Sequence, residues 1–245
     1  MRSFSKALCG ILSLAIGSIA ADLAAGVSAY DNKEFAKAAG ELMPLAESGD
    51  STAQYYIGCM NFFGQGLPQD YKAGIKWYSA AAQRGHAHAA AMLGWLSVSG
   101  PNVPWHAEVP TDLTAAVKWL RLAVKGDDQF GEQTLASLYK DGRGVPADFE
   151  EAARLYRLAA DQGDSDSQTF LGFLYLKGEG VTKDYVQAHL WFNLCAARSS
   201  SSRSTSADSC RSSRESLEAL MTPAQIAEAQ SLARNWKPRT QQPTQ

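Results

Sequence analysis

The sequence predicts an all-α fold, a solenoid built from antiparallel helix pairs. Two observations carry that expectation. A phrase of the form G-x-G-[VL]-x-x-D occurs at Gly64 to Asp70, Gly142 to Asp148 and Gly178 to Asp184, and a stretched copy opens at Gly100 and closes at Asp112. Around each copy, small and apolar residues recur at helical offsets, which is the mark of a stacked repeat.

The elements follow in order. Arg2 and Lys6 give a positive start, Ala7 to Ala20 is an apolar run, and Val27-Ser28-Ala29 fits a small-x-small cleavage site. Residues 1–29 therefore read as a secretory signal peptide, with a second possible cut after Ala20. The competing reading is an uncleaved anchor, but the run is short of the roughly 20 residues of a membrane span. Residues 30–50 read as an N-terminal half-repeat, one cap helix with Ala38, Leu42, Leu45 and Ala46 on its inner face and Gly49 at its end.

Four helix pairs follow, at about 51–86, 87–127, 128–164 and 165–198. In the first helix of each pair (helix A), Gly58, Gly94, Ala136 and Gly172 form a small position flanked by Ile57, Leu93, Leu135 and Leu171. A small residue there lets two helices approach closely, and packing must offset the roughly 1 kcal/mol that a helical glycine costs. In helix B, Trp77, Trp119, Leu155 and Trp191 precede Tyr78, Leu120, Tyr156 and Phe192. Asp112, Asp148 and Asp184 suit helix N-caps, and Glu151 and Gln187 resemble capping-box partners. Gly85, Gly126 and Gly163 suit left-handed helix ends.

The rest of the chain closes the stack. Residues 199–213 read as a serine-rich loop. Residues 214–236 read as a C-terminal capping helix, with Thr222 as N-cap, Pro223 in the first turn, and Ile226, Ala229, Leu232 and Trp236 inward. Residues 237–245 read as a disordered tail.

Composition excludes several functions. The 245 residues carry a net charge of −2, so no broad basic surface invites nucleic acid. No membrane span is expected in the mature chain. The four histidines (His86, His88, His106 and His189) fit no catalytic or zinc spacing. No cofactor, metal or enzymatic activity is expected. Beyond the leader, Cys59, Cys195 and Cys210 remain. A bond between Cys195 and Cys210 would close a short loop, worth on the order of 3 kcal/mol by the chain-entropy model. Cys59 would then be a buried thiol.

Taken together, the A-x-x-x-L-G, G-x-G-V-x-x-D and A-x-x-W-Y elements resemble the Sel-one-like repeat (SLR), a relative of the tetratricopeptide repeat. The resemblance covers about Tyr30 to Arg198, and Ala53 to Gly85 is a near-complete copy. It implies a right-handed superhelical solenoid and adaptor or scaffold work in protein complexes, including those of the bacterial envelope. Departures are local: Gly74 stands in place of alanine, and Asn61 and Ser97 stand where Tyr139 and Tyr175 occur. A cysteine-rich branch of the family is linked to β-lactam chemistry. This chain lacks its regular cysteine pairs.

In helix-pair solenoids the A helices line the concave side. Two residues before, one after and five after the small position lie opposite the core. They place Tyr56, Met92, Trp95, Phe170 and Phe173 in an inner groove for a protein or peptide partner. The competing reading has these side chains packing between neighbouring A helices. The inserted segment carries Trp105 and His106, either a binding tip or a flap folded onto the stack. Arg198, Arg203, Arg211 and Arg214 offer charge to an acidic partner. The chain is therefore expected to be a monomeric, non-enzymatic adaptor or regulator of an envelope complex in the periplasm. The alternatives are a cell-wall hydrolase and a secreted effector that binds host proteins.

Overall fold

The structure, a computed structural model, describes residues 22–99, 103–105, 107–108, 110–197 and 205–239. The described residues form helices and contain no strand. They fall into two compact units, one ending at Thr111 and one beginning at Asp112.

The first unit holds α1 (22–31), α2 (Phe35–Ser48), α3 (Ser51–Phe63), α4 (Tyr71–Gln83) and α5 (Ala87–Val98). Helix α2 is the expected cap helix, with Ala38, Leu42 and Ala46 fully buried. It does not stand alone. In α1, Ala29 is 3% exposed and Leu23, Val27 and Tyr30 pack against the same core. The N-terminal cap is thus a helix pair beginning before residue 30.

Repeat geometry is set at the small position of helix A. A Cβ added to Gly58 would lie 2.8 Å from the ring of Tyr78, which is fully buried. Tyr78 of α4 therefore fills a notch in α3 that only a missing side chain provides. Gly64 and Gly66 turn the chain between the two helices with φ of 68° and 75°, where glycine carries no steric penalty.

The second unit holds α6 (Leu113–Lys125), α7 (Gln129–Asp141), α8 (Phe149–Asp161), α9 (Ser165–Lys177), α10 (Tyr185–Ala197), α11 (Thr205–Glu218) and α12 (Pro223–Asn235). The notch recurs at Gly172, where a Cβ would lie 2.6 Å from Phe192. Seven helix starts are alike: Asp50, Asp70, Asp112, Asp128, Asp148, Asp164 and Asp184 each accept a bond from the third backbone amide of their helix. Such a cap contributes about 1 kcal/mol.

Four sequence expectations are corrected. Gly126 is not the left-handed residue of its turn; its φ is −92°, and Asp127 takes that conformation with φ of 60°. The turn is one residue later because Gly126 occupies the place that Arg84 and Gln162 hold in the other repeats. Glu151 does not reach back to its cap; its carboxylate grips Arg154 with two bonds of 2.7 Å. Residues 205–213 are helical, the first part of α11, rather than a loop. Burial of Ala207, Cys210 and Leu217 on one face imposes that helix. Cys195 and Cys210 are disulfide-bonded, and His189 Nε2 lies 2.8 Å from Glu218. Lastly, Arg239 in the expected disordered tail is bonded to the second unit: its amide donates to the Asp161 carbonyl at 2.6 Å.

The notch can be tested beside an internal control. Gly58→Leu is expected to lower the unfolding free energy by about 2–3 kcal/mol through overpacking, read as a fall in the urea midpoint. At Gly40 of α2, an added Cβ would have nothing within 4 Å. Gly40→Ala should therefore raise stability by about 0.5–1 kcal/mol.

Candidate functional site

The five residues expected in an inner groove divide between the units. Tyr56, Met92 and Trp95 lie in the first and Phe170 and Phe173 in the second, and each is half-buried. Their partners explain why. The Tyr56 ring meets Tyr30 of α1 edge-on at 4.9 Å. Trp95 lies 5.3 Å from Trp105, which also reaches Phe62 at 5.4 Å and Tyr71 at 6.2 Å. Trp105 therefore lies against an aromatic cluster of the first unit. The expectation for His106 falls outside the described residues, as do those for Arg198 and Arg203. Arg211 pairs with Asp208, and Arg214 donates to Asn193 at 2.9 Å.

In the second unit, Phe170 stacks on Tyr156 at 5.0 Å, with the Lys140 ammonium 5.4 Å from its centroid. Phe173 meets Phe192 edge-on at 5.0 Å. It also lines a cleft of about 250 Å³ with Leu176, Leu217 and Leu220, so α11 covers part of the surface expected to be open. The ring partners of Trp95, Phe170 and Phe173 lie on the insertion and on B helices, and each of these aromatics stays partly exposed.

Sequence reasoning did not single out Phe63. It lies five residues past the small position of α3 and is 51% exposed. Its register placed it on the expected face; its position beside a turn is what leaves it uncovered. Elsewhere the polar groups are structural. The Tyr78 hydroxyl donates to the Cys59 thiol at 3.3 Å. Burial pushes that thiol's pKa up, which keeps it protonated and a poor nucleophile. His86 caps α5, its Nδ1 accepting from Ala89 at 3.2 Å. His189 is fully buried against Glu218. Among the described residues no group of three acidic, histidine or cysteine side chains is placed to hold a metal. Nor is any described helix long and apolar enough to cross a membrane.

One polar cluster stands apart. Glu132 of α7 is fully buried, and its Oε2 accepts from Gln162 at 2.8 Å. Its Oε1 has no hydrogen-bond partner. The guanidinium of Arg239 lies 3.6 Å from that oxygen and 2.5 Å from Asp127. Burial, with the Asp127 charge beside it, pushes the Glu132 pKa up to about 8.

Comparison with known proteins gives a consistent picture. The Sel1 repeat family model matches residues 51–86, 87–128, 135–164 and 165–200. A Sel1 repeat protein from Oxalobacter formigenes has a similar structure, with a TM-score of 0.65 at 23% identity over 85% of this chain and 84% of that one. So does c5321, a protective antigen of uropathogenic Escherichia coli displaying an SLR fold, with a TM-score of 0.55 at 22% identity over 91% of this chain and 54% of that one. These two likenesses establish the fold. In sequence, 101 residues are 33% identical to HRD3B of Arabidopsis thaliana, an ERAD-associated E3 ubiquitin-protein ligase component. The match spans 41% of this chain and 15% of that relative.

Glu132 makes stability depend on pH. Its folded pKa, about 8, lies above the ordinary 4.5. Below the ordinary value both folded and unfolded states hold the proton. As pH rises toward the folded value, the unfolded chain releases a proton that the folded chain retains, so stability falls. Glu132→Gln removes that loss. The Tm advantage of the variant over wild type should grow by about 7 °C between pH 5 and pH 8. A pH-independent difference in thermal melts would show that the buried carboxyl is already ionised.

Proposed function

The chain belongs to the Sel1 repeat family, and from that premise we propose that it is a non-catalytic adaptor that recognises a protein partner of an envelope complex in the bacterial periplasm. Sel1 repeats mediate protein interactions. Binding here is passive: rigid helix pairs present fixed side chains, and no bond is made or broken. The observation that carries the reading is Phe63, an aromatic side chain 51% exposed at the end of an A helix. Aromatic anchors of this kind dominate interface energetics, and a soluble surface otherwise hides them. Met92 lies on the corresponding face of α5 and is half-buried.

Export rests on the leader. A cut after Ala29 would remove a buried alanine and most of α1, whose Leu23 and Val27 pack on the α2 core. A cut after Ala20 would leave that helix pair whole. Mass spectrometry of protein recovered from the periplasmic fraction is expected to give a chain beginning at Ala21. A mature chain beginning at Tyr30 would overturn this placement, and recovery only from the cytoplasm would overturn export.

Partner binding is tested by cross-linking in the periplasm followed by capture, comparing wild type with Phe63→Ala plus Met92→Ala. The first truncation shortens an exposed side chain, so the helical circular dichroism should hold. Loss of most of a captured partner in the double variant is the expected result. Equal capture by both proteins would remove this face from the function.

A further inference from the structure

The acidic cluster of the second unit departs from the repeat in two places, and both departures meet one arginine. In the turns that lead from a B helix into the next A helix, the left-handed position is Gly49, Gly85 and Gly163, with φ of 101°, 90° and 96°. In the equivalent turn it is Asp127. Only Lys33 and Asp127 hold a positive φ without being glycine among the described residues. Aspartate enters that region more readily than most residues, but still at a cost. An observed outlier of this kind is a pointer to function.

The second departure is Glu132, four residues before the small position of its A helix. At that register Gln54 and Gln168 stand in the first and fourth repeats, and Ala90 in the second. Each donates its amide to a carbonyl at the end of the preceding helix, Gln54 to Ala46 at 3.0 Å and Gln168 to Ala160 at 3.2 Å. A carboxyl group carries at most one donor, and only while it is protonated. Glutamate here forfeits a structural bond and leaves a fully buried oxygen, Oε1, without a hydrogen bond. Within the repeats, Glu132 is held by the Gln162 amide at 2.8 Å, and that bond uses one of its two oxygens.

What they share is Arg239. Its guanidinium bonds Asp127 at 2.5 Å and faces the orphaned Glu132 oxygen at 3.6 Å. Its backbone amide donates to Asp161. Pro238 precedes it, which favours extended backbone in the residue before the proline. The segment uses one arginine head and one main-chain amide, and neither contact depends on the tail being covalently attached. The Arg239 side chain is 41% exposed, so the contact can open and re-form.

We infer that Asp127, Glu132 and the Asp161 carbonyl form a guanidinium-reading site for an extended arginine-bearing segment of a partner protein, and that the chain's own tail, through Arg239, occupies it as an internal competitor. This deepens the interaction reading above and rests on it for the claim that a protein supplies the arginine. A tethered tail acts at high effective concentration. It lowers the apparent affinity for a free segment by the fraction of sites it fills.

The probe is a fluorescent, end-blocked heptapeptide with the tail sequence Asn-Trp-Lys-Pro-Arg-Thr-Gln, titrated by anisotropy into the purified full-length chain. Arg239→Ala, which vacates the site, is expected to bind it about tenfold more tightly than wild type. Replacing the peptide arginine by citrulline, which keeps the shape and removes the charge, should abolish that gain. So should adding Asp127→Gly and Glu132→Gln to the Arg239→Ala chain. Those two substitutions insert the residues that other repeats carry at the same register, so folding is retained by precedent. Equal affinity of wild type and Arg239→Ala would overturn the competitor. Binding that survives citrulline or the double acidic replacement would overturn the site. Either result leaves the Phe63 capture experiment unaffected, so the two readings fail separately.

Discussion

The first and fourth helix pairs depend on one contact, a large ring from helix B seated in a notch on helix A. Tyr78 reaches Gly58 in the first repeat, and Phe192 reaches Gly172 in the fourth. In the third repeat the small residue is Ala136, and the Tyr156 hydroxyl bonds Ser137 at 3.0 Å beside it. The contact explains why the small position tolerates glycine despite its cost in a helix interior. Dispersion and burial gained by a fully enclosed ring exceed that cost. It also fixes how far apart the helix axes lie, and therefore where the turns fall.

The turns inherit that geometry. The second glycine of the G-x-G phrase presses on the start of the previous B helix: a Cβ on Gly66 would lie 2.7 Å from the backbone of Phe35, and one on Gly180 would collide with Phe149. The first glycine permits the reversal of direction, and the second permits the approach of the neighbouring repeat. A phrase that looks like turn chemistry in the sequence is thus also packing chemistry between repeats.

This is why the repeat was legible and the exceptions were not. Offsets of small, apolar and aspartate residues report the notch and the caps, so helix positions and pair boundaries could be read directly. The α11 helix could not, because Thr205 to Glu218 is rich in serine, which is an indifferent helix former. Its order comes from tertiary burial of Ala207, Cys210 and Leu217 and from the link to α10. Such forces have no local signature. The fate of Trp105 was equally hidden: a tryptophan on an insertion can project or fold back, and the aromatic surface of Phe62, Tyr71 and Trp95 decided it. Phe63 was on the expected face by register, but its exposure depends on what the turn leaves uncovered. The left-handed role of Asp127 was missed because Gly126, the residue best suited to it, stands one place earlier.

A repeat carries its own control, and that gives its irregularities meaning. In an isolated domain, a buried glutamate or an aspartate in left-handed conformation has no reference against which to be judged. Here Gly49, Gly85 and Gly163 show what the turn favours, and Gln54 and Gln168 show the bond that a side chain at this register can make to the preceding helix end. Asp127 and Glu132 depart from both patterns, five positions apart in the chain and against the same guanidinium. Two unrelated compromises would be expected at unrelated places, since marginal folds carry them wherever they are tolerated. Their convergence on one cation points to a common cause, and reading a guanidinium is the cause that both carboxyl groups serve.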